Sequence, residues 1–141
     1  MRHRVKKIKV KLGKDANKML FRKLLFNFLK KGKIITTLKK AKILKSLLER
    51  IVSKSKIKSE ANKNYLLRYI NDRKTIQLLF DVIGPLFKDL VSGYIKITKI
   101  GKRQGDAALK ARLEWVRPVV INDRVKKKEE KVKKSIKKVN P

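Results

Sequence analysis

Between Asp15 and Lys31 the apolar residues recur at helical spacing. Met19, Leu20, Leu24 and Phe28 form one stripe, with Phe21, Leu25 and Leu29 beside it, while Lys18 and Arg22 share the opposite side. This pattern predicts a first helix, with Asp15 as its N-cap. The run Lys30-Lys31-Gly32-Lys33 ends it near Lys31, because cations suit the negative end of the macrodipole and glycine suits a C-terminal cap. Ile34-Ile35-Thr36-Thr37 is short and β-branched and predicts a brief strand. Thr37 then serves as N-cap of a second helix, whose apolar stripe is Ala41, Leu44, Leu47, Leu48, Ile51 and Val52. Lys39, Lys40, Lys42 and Lys45 fall on its other side. The polar stretch Ser53 to Lys58 reads as a loop, and Ser59-Glu60 opens a third helix through Leu66, Leu67 and Ile70. Asp72 caps a fourth, carrying Ile76, Leu79, Phe80 and Ile83 until Gly84-Pro85 interrupts it.

From Ser92 onward the period changes from helical to alternating. Tyr94 to Ile100 and Ala111 to Val116 read as two strands, joined by a turn-rich loop, Gly101-Lys102-Arg103-Gln104-Gly105-Asp106. A β-hairpin with a long basic loop is the simplest arrangement, and Pro118 ends its second strand. The elements run α-β-α-α-α-β-β, an α+β class. Three parts follow: a basic N-terminal arm at 1–14, a compact domain at 15–121, and a Lys-rich extension at 122–141 with too few apolar residues to build a core.

Charge narrows the picture. Of 141 residues, 42 are Lys or Arg and 11 are Asp or Glu, a net +31. The arm holds seven cations and no acid, and Arg124 to Pro141 holds nine cations against two acids. The segment between still carries 26 cations and nine acids, so the domain is basic in itself. Such a chain repels itself unless a polyanion neutralises it, and phosphates do so with release of condensed counterions. Nucleic acid is therefore the expected partner. The absence of cysteine excludes disulfides and thiolate metal sites and fits a reducing compartment. The basic start lacks the apolar stretch of a signal peptide, and no run reaches the ~20 apolar residues of a membrane span, so a cytoplasmic protein without membrane insertion is expected.

Catalysis finds no support in these residues. His3 is the sole histidine and lies in the basic arm, no pair of tuned carboxylates stands out, and the glycines around Lys102 lack the spacing of a phosphate-binding loop. No cofactor, metal or small-molecule substrate is expected. Nor is there zinc-finger spacing, a heptad zipper or an aromatic single-strand motif. Aromatics are few and mostly sit on apolar helix faces, which leaves phosphate contact and shape recognition as the mode of binding. Charge alone leaves open a DNA-compacting protein, and the basic amphipathic segment Asp15 to Lys31 leaves open a membrane-surface helix. Two basic arms flanking a compact domain favour a folded RNA, whose crevices admit extended chains.

Several strings occur in one order: Met1-Arg2-His3-Arg4, Leu12-Gly13-Lys14, Ile35-Thr36-Thr37 before Lys40-Ala41-Lys42, Gly93-Tyr94 with Ile97 and Lys99, then Arg103-x-Gly105-Asp106-x-Ala108. Over about residues 1 to 116 the sequence resembles the bacterial large-subunit ribosomal protein family numbered seventeen. The resemblance implies a two-layer domain with helices on one face of a small sheet, in which Ile34 to Thr37 is the third strand. It implies a structural, non-catalytic role, binding large-subunit rRNA near the peptide tunnel exit beside neighbouring large-subunit ribosomal proteins. The expected RNA contacts are Arg2, His3, Arg4, Lys6, Lys7 and Lys14 in the arm, and Lys18 and Arg22 on the first helix. Thr36, Thr37, Lys40 and Lys42 follow at the start of the second helix, and Tyr94, Lys96, Lys99, Lys102 and Arg103 in the hairpin. The sequence departs from the family pattern at Ala16-Asn17-Lys18, where a histidine-containing entry to the helix is usual, and at Ile95 and Lys96, where Thr and Arg are usual. Lysine offers phosphate a point charge in place of a bidentate fork, so binding here rests more on charge than on fine geometry.

Overall fold

The computed structural model describes residue 10 and residues 13–119. Helix α1 (Lys14–Lys31) opens the fold. Its N-cap is Gly13, whose carbonyl accepts from the Asn17 amide at 3.0 Å, so the expected cap at Asp15 is corrected by two residues. Asp15 sits instead in the first turn, where a carboxylate still suits the positive end of the macrodipole. Asn17 Nδ2 donates to the Val10 carbonyl at 3.2 Å and ties the preceding chain to this turn. The helix ends as expected: Gly32 adopts the left-handed conformation (φ 71°) and its N–H reaches the Phe28 carbonyl at 2.8 Å.

The chain turns directly into β1 (Lys33–Thr37) and then α2 (Leu38–Ser55). Thr37 is the N-cap residue, extended at φ −68°, ψ 145°, but its side chain makes no cap hydrogen bond. Helix α2 runs three residues into the stretch expected to be a loop. Ser55 extends the buried stripe of Leu44, Leu48, Ile51 and Val52, and its hydroxyl is satisfied by donating to the Val52 carbonyl at 2.8 Å. A polar residue bonded to its own helix costs little when buried. Helix α3 (Glu60–Leu67) has the expected Ser59 cap, whose Oγ accepts from the Asn62 amide at 3.3 Å.

Asp72 caps α4 (Arg73–Leu78), accepting from the Lys74 amide at 3.1 Å and the Thr75 hydroxyl at 2.6 Å. These bonds favour the charged carboxylate and hold its pKa below the ordinary value. Gly84-Pro85 does not stop the helix. A π-helical turn (Leu79–Ile83) precedes a last turn, α5 (Gly84–Leu86), and the wider turn lets the chain pass a proline that has no N–H to give. The glycine is there for space: a Cβ at residue 84 would lie 2.4 Å from the Ser55 carbonyl oxygen. Close approach of these two backbones explains both the extra turn of α2 and the buried Ser55.

Strands β2 (Ile95–Lys102) and β3 (Leu109–Trp115) complete an antiparallel sheet of order β1-β3-β2. Alternation places Ile34, Ile95, Ile97, Ala111, Leu113 and Trp115 on the face that packs against α1 and α2. An aromatic cluster binds the layers together: Trp115 lies 4.8 Å from Phe28 and 5.5 Å from Phe87, and Phe87 lies edge-on to Tyr94 at 5.5 Å between ring centroids. The result is a two-layer α+β domain, helices on one face and solvent on the other.

Candidate nucleic-acid interface

The sheet register sorts the basic residues of the hairpin. Lys99 pairs with Ala111, which pairs in turn with Thr36, and this row lies on the helix-side face. Lys96 pairs with Glu114 on the opposite face. Regular alternation would send Lys102 to that opposite face too. It does not go there, because the register slips between Lys99 and Gly101: Ile100 and Gly101 (φ 141°) together oppose Lys110, and Lys102 then pairs with Leu109 on the helix side. The bulge thus returns Lys102 to the side of Lys99.

That side meets the start of α2. Thr37, Leu38, Lys39 and Lys42 from the helix entrance, with Ala108 and Leu109 from β3 and its approach, line a groove of about 470 Å³. Residues three apart share a helix face whereas residues two apart diverge, so Lys39 and Lys42 act together. Lys40, expected as an RNA contact alongside Lys42, is half-buried and does not line the groove. Lys39 was missed as a site residue although the 39/42 spacing carried the signal. Lys39, Lys42, Lys99 and Lys102 are exposed, and none forms an ion pair with a carboxylate among the described residues. The first turn of α2 also holds no acid, which leaves its orphan N–H groups beside uncompensated ammonium groups. Such a groove suits anionic oxygens, with Leu38 and Leu109 as an apolar floor.

The loop that closes the hairpin runs over residues 103–108 and is tied by internal hydrogen bonds. The Arg103 amide donates to the Ala108 carbonyl at 2.9 Å. Its guanidinium forks onto Asp106, with Nε to Oδ1 at 2.9 Å and Nη2 to Oδ2, while Asp106 Oδ1 also accepts from the Ala108 amide at 3.2 Å. Arg103 thereby holds the Asp106 carboxyl down to about 2. The Arg103 fork is engaged within the protein, and its remaining N–H groups face solvent.

Other expected contacts are placed differently. Tyr94 is corrected: it is 1% exposed, its ring packs on Phe87, and its hydroxyl donates to the Val91 carbonyl at 2.5 Å, so it is a core residue with no surface to offer. Glu49 fixes it from α2, accepting from the Gly93 and Tyr94 amides at 3.2 and 3.5 Å. Arg22 is half-buried, and its Nη2 donates to the Arg68 carbonyl at the end of α3 at 2.5 Å, a helix-capping role away from the groove. Lys18 is exposed on α1, and Lys14 is the first residue of that helix. Arg2, His3, Arg4, Lys6 and Lys7, and the extension 122–141, lie outside the described residues. Among the described residues, no three His, Cys, Asp or Glu side chains converge as a metal site would require. No helix among them is long and apolar enough to cross a membrane.

The family model for ribosomal protein L17 matches residues 20–116, which takes in every element from most of α1 to β3. The chain belongs to the ribosomal protein L17 family. Similar proteins named large ribosomal subunit protein bL17 include those of Dictyoglomus turgidum, 37% identical over 82% of this chain and all of the relative. That of Halothermothrix orenii is 40% identical over 75% of this chain and 95% of the relative, and that of Borrelia hermsii 34% identical over 70% and 80%. The L17 family is a structural, non-enzymatic component of the ribosome, and the groove and hairpin lie wholly within the matched segment.

Proposed function

We propose that this chain is a structural constituent of the large ribosomal subunit that binds rRNA through phosphate contacts, near the peptide tunnel exit and beside other large-subunit proteins. The observation that carries the reading is membership of the L17 family over residues 20–116, with relatives named as large-subunit proteins. The groove at the start of α2 supports it physically. Lys39 and Lys42 line its apolar floor, Lys99 and Lys102 stand on the same side of the sheet, and none of the four has a carboxylate partner among the described residues. The basic sequences at 1–14 and 122–141 add further cations for phosphate contact. Lys outnumbers Arg, so most of this affinity is sequence-independent neutralisation of phosphate and falls steeply with salt.

Sedimentation tests the proposal. A tagged copy expressed in a bacterial host is expected in the large-subunit peak of a sucrose gradient, and RNase treatment is expected to release it. A protein that stays at the top of the gradient, or travels with DNA instead, contradicts the reading.

A further inference from the structure

Helices α1 and α2 pack on one face of the sheet, and among the described residues the side chains of the opposite face are mostly exposed. On it the register places Lys33 and Lys96 on either side of Glu114, and Arg112 and Lys110 along the same central strand. Ile35, 57% exposed, sits directly across from Arg112. Four cations therefore share this surface with a single carboxylate. None of the four forms an ion pair among the described residues, although Glu114 stands between two of them. A face that gathers uncompensated charge instead of pairing it is built for an anionic partner.

We propose that this solvent face of the sheet is a second RNA-contacting surface, facing away from the groove at the start of α2, and that it takes the phosphate backbone of a separate RNA segment. The inference rests on the rRNA-binding reading above and extends it to a domain held from both sides of its sheet. Three features favour RNA backbone over a protein neighbour or stacked bases. The face carries no aromatic ring, which removes the stacking platform used for single strands. Its exposed aliphatic side chains, Ile35 and Ile100, stand among charged residues, whereas the centre of a protein interface is depleted of charge. Arg112 is exposed and forms no ion pair among the described residues, and its planar fork matches phosphate oxygens in a bidentate way that lysine cannot. Because residues on one face recur every second position, successive cross-strand rows stand about 6.6 Å apart and offer cations in a regular array.

The test compares two triple variants of the full chain, each losing three charges, with deproteinised large-subunit rRNA as the probe. Lys33→Ala, Lys110→Ala and Arg112→Ala remove charge from the sheet face. Lys54→Ala, Arg68→Ala and Lys88→Ala remove it from exposed positions near the ends of α2, α3 and α5. The sheet-face variant is expected to lose about tenfold or more in affinity and to lower the slope of log K against log salt by about 2 to 3, while the control loses much less. Equal losses, or none, overturn the proposal while leaving the RNA reading intact. Wild-type protein that binds this rRNA no better than duplex DNA of equal length overturns both. Lysine acetylation of the wild-type protein gives a second readout that needs no variant. Lys33, Lys96 and Lys110 are expected to be protected in the binary protein–rRNA complex. Protection that appears only in whole large subunits means that a protein covers the face, and it overturns the proposal.

Discussion

Arg103 illustrates how one residue can serve the fold where charge alone suggested a ligand. Its fork on Asp106 closes the hairpin loop, and the carboxyl sits at about 2 because that fork and the Ala108 amide both favour its charged form. A carboxyl whose folded pKa is lowered contributes stability above the ordinary carboxylate range, and the contribution is lost as pH falls through about 2. In Arg103→Ala, an NMR titration of Asp106 is expected to move its midpoint up toward about 3.9. An unmoved midpoint contradicts the assignment of the fork as the cause. Gly84 is a second such residue. Its Cβ in Gly84→Ala would meet the Ser55 carbonyl at 2.4 Å, and overpacking of this kind costs about 1–3 kcal/mol. Urea unfolding should show a lower midpoint with an unchanged slope; a midpoint equal to wild type would mean that the α2–α5 contact is loose.

At the scale of elements, the sequence located α1 to α4 and the three strands but missed the last turn, α5, and misjudged several ends, each for a local reason. Helix α2 outran its apolar stripe because Ser55 is buried through a contact with Gly84 that lies 29 positions away in sequence and leaves no local trace. Gly84-Pro85 reads as a stop, and only the preceding π turn lets the helix continue. Asp15 resembles a cap more than Gly13 does, yet the first backbone bond falls on Gly13. The bulge at Ile100 was equally hidden, although Gly101 beside it marks the position where such a kink is tolerated. This bulge decides which face Lys102 occupies. Deleting Ile100 removes the extra residue, so that Gly101 alone opposes Lys110 and Lys102 keeps its place across from Leu109 on the helix side. The deletion is expected to leave rRNA binding near that of the wild type, whereas Lys102→Ala weakens it, with the far-UV circular dichroism spectrum retained in both. A deletion that loses as much affinity as Lys102→Ala would show that the bulge itself, and not the side on which Lys102 stands, governs binding.

For the whole molecule, the net charge of +31 sets the class of partner, and the fold sets where that charge is available. The site was legible in the sequence as far as residue type allows: the basic start of α2 and the hairpin were both expected. Which of their side chains converge was not, because this depends on register and helical phase. Lys39 joined the groove, Lys40 left it, and Tyr94 and Arg22 turned inward to core and capping roles. Tyr94 could mislead because a tyrosine beside a glycine in a basic hairpin reads equally well as a surface ring or a buried one. Its burial follows from Phe87 and Glu49, which meet it only in the folded chain.

The central claim is that the α2 entrance and the helix side of the hairpin grip rRNA together. Protein–RNA crosslinking within purified large subunits, read out by mass spectrometry at the level of single residues, tests it most directly. Crosslinks to RNA at Lys39, Lys42, Lys99 and Lys102, converging on neighbouring nucleotides, are the expected result. RNA crosslinks confined to the arm and the C-terminal extension, with these four lysines joined only to protein or to nothing, would contradict it.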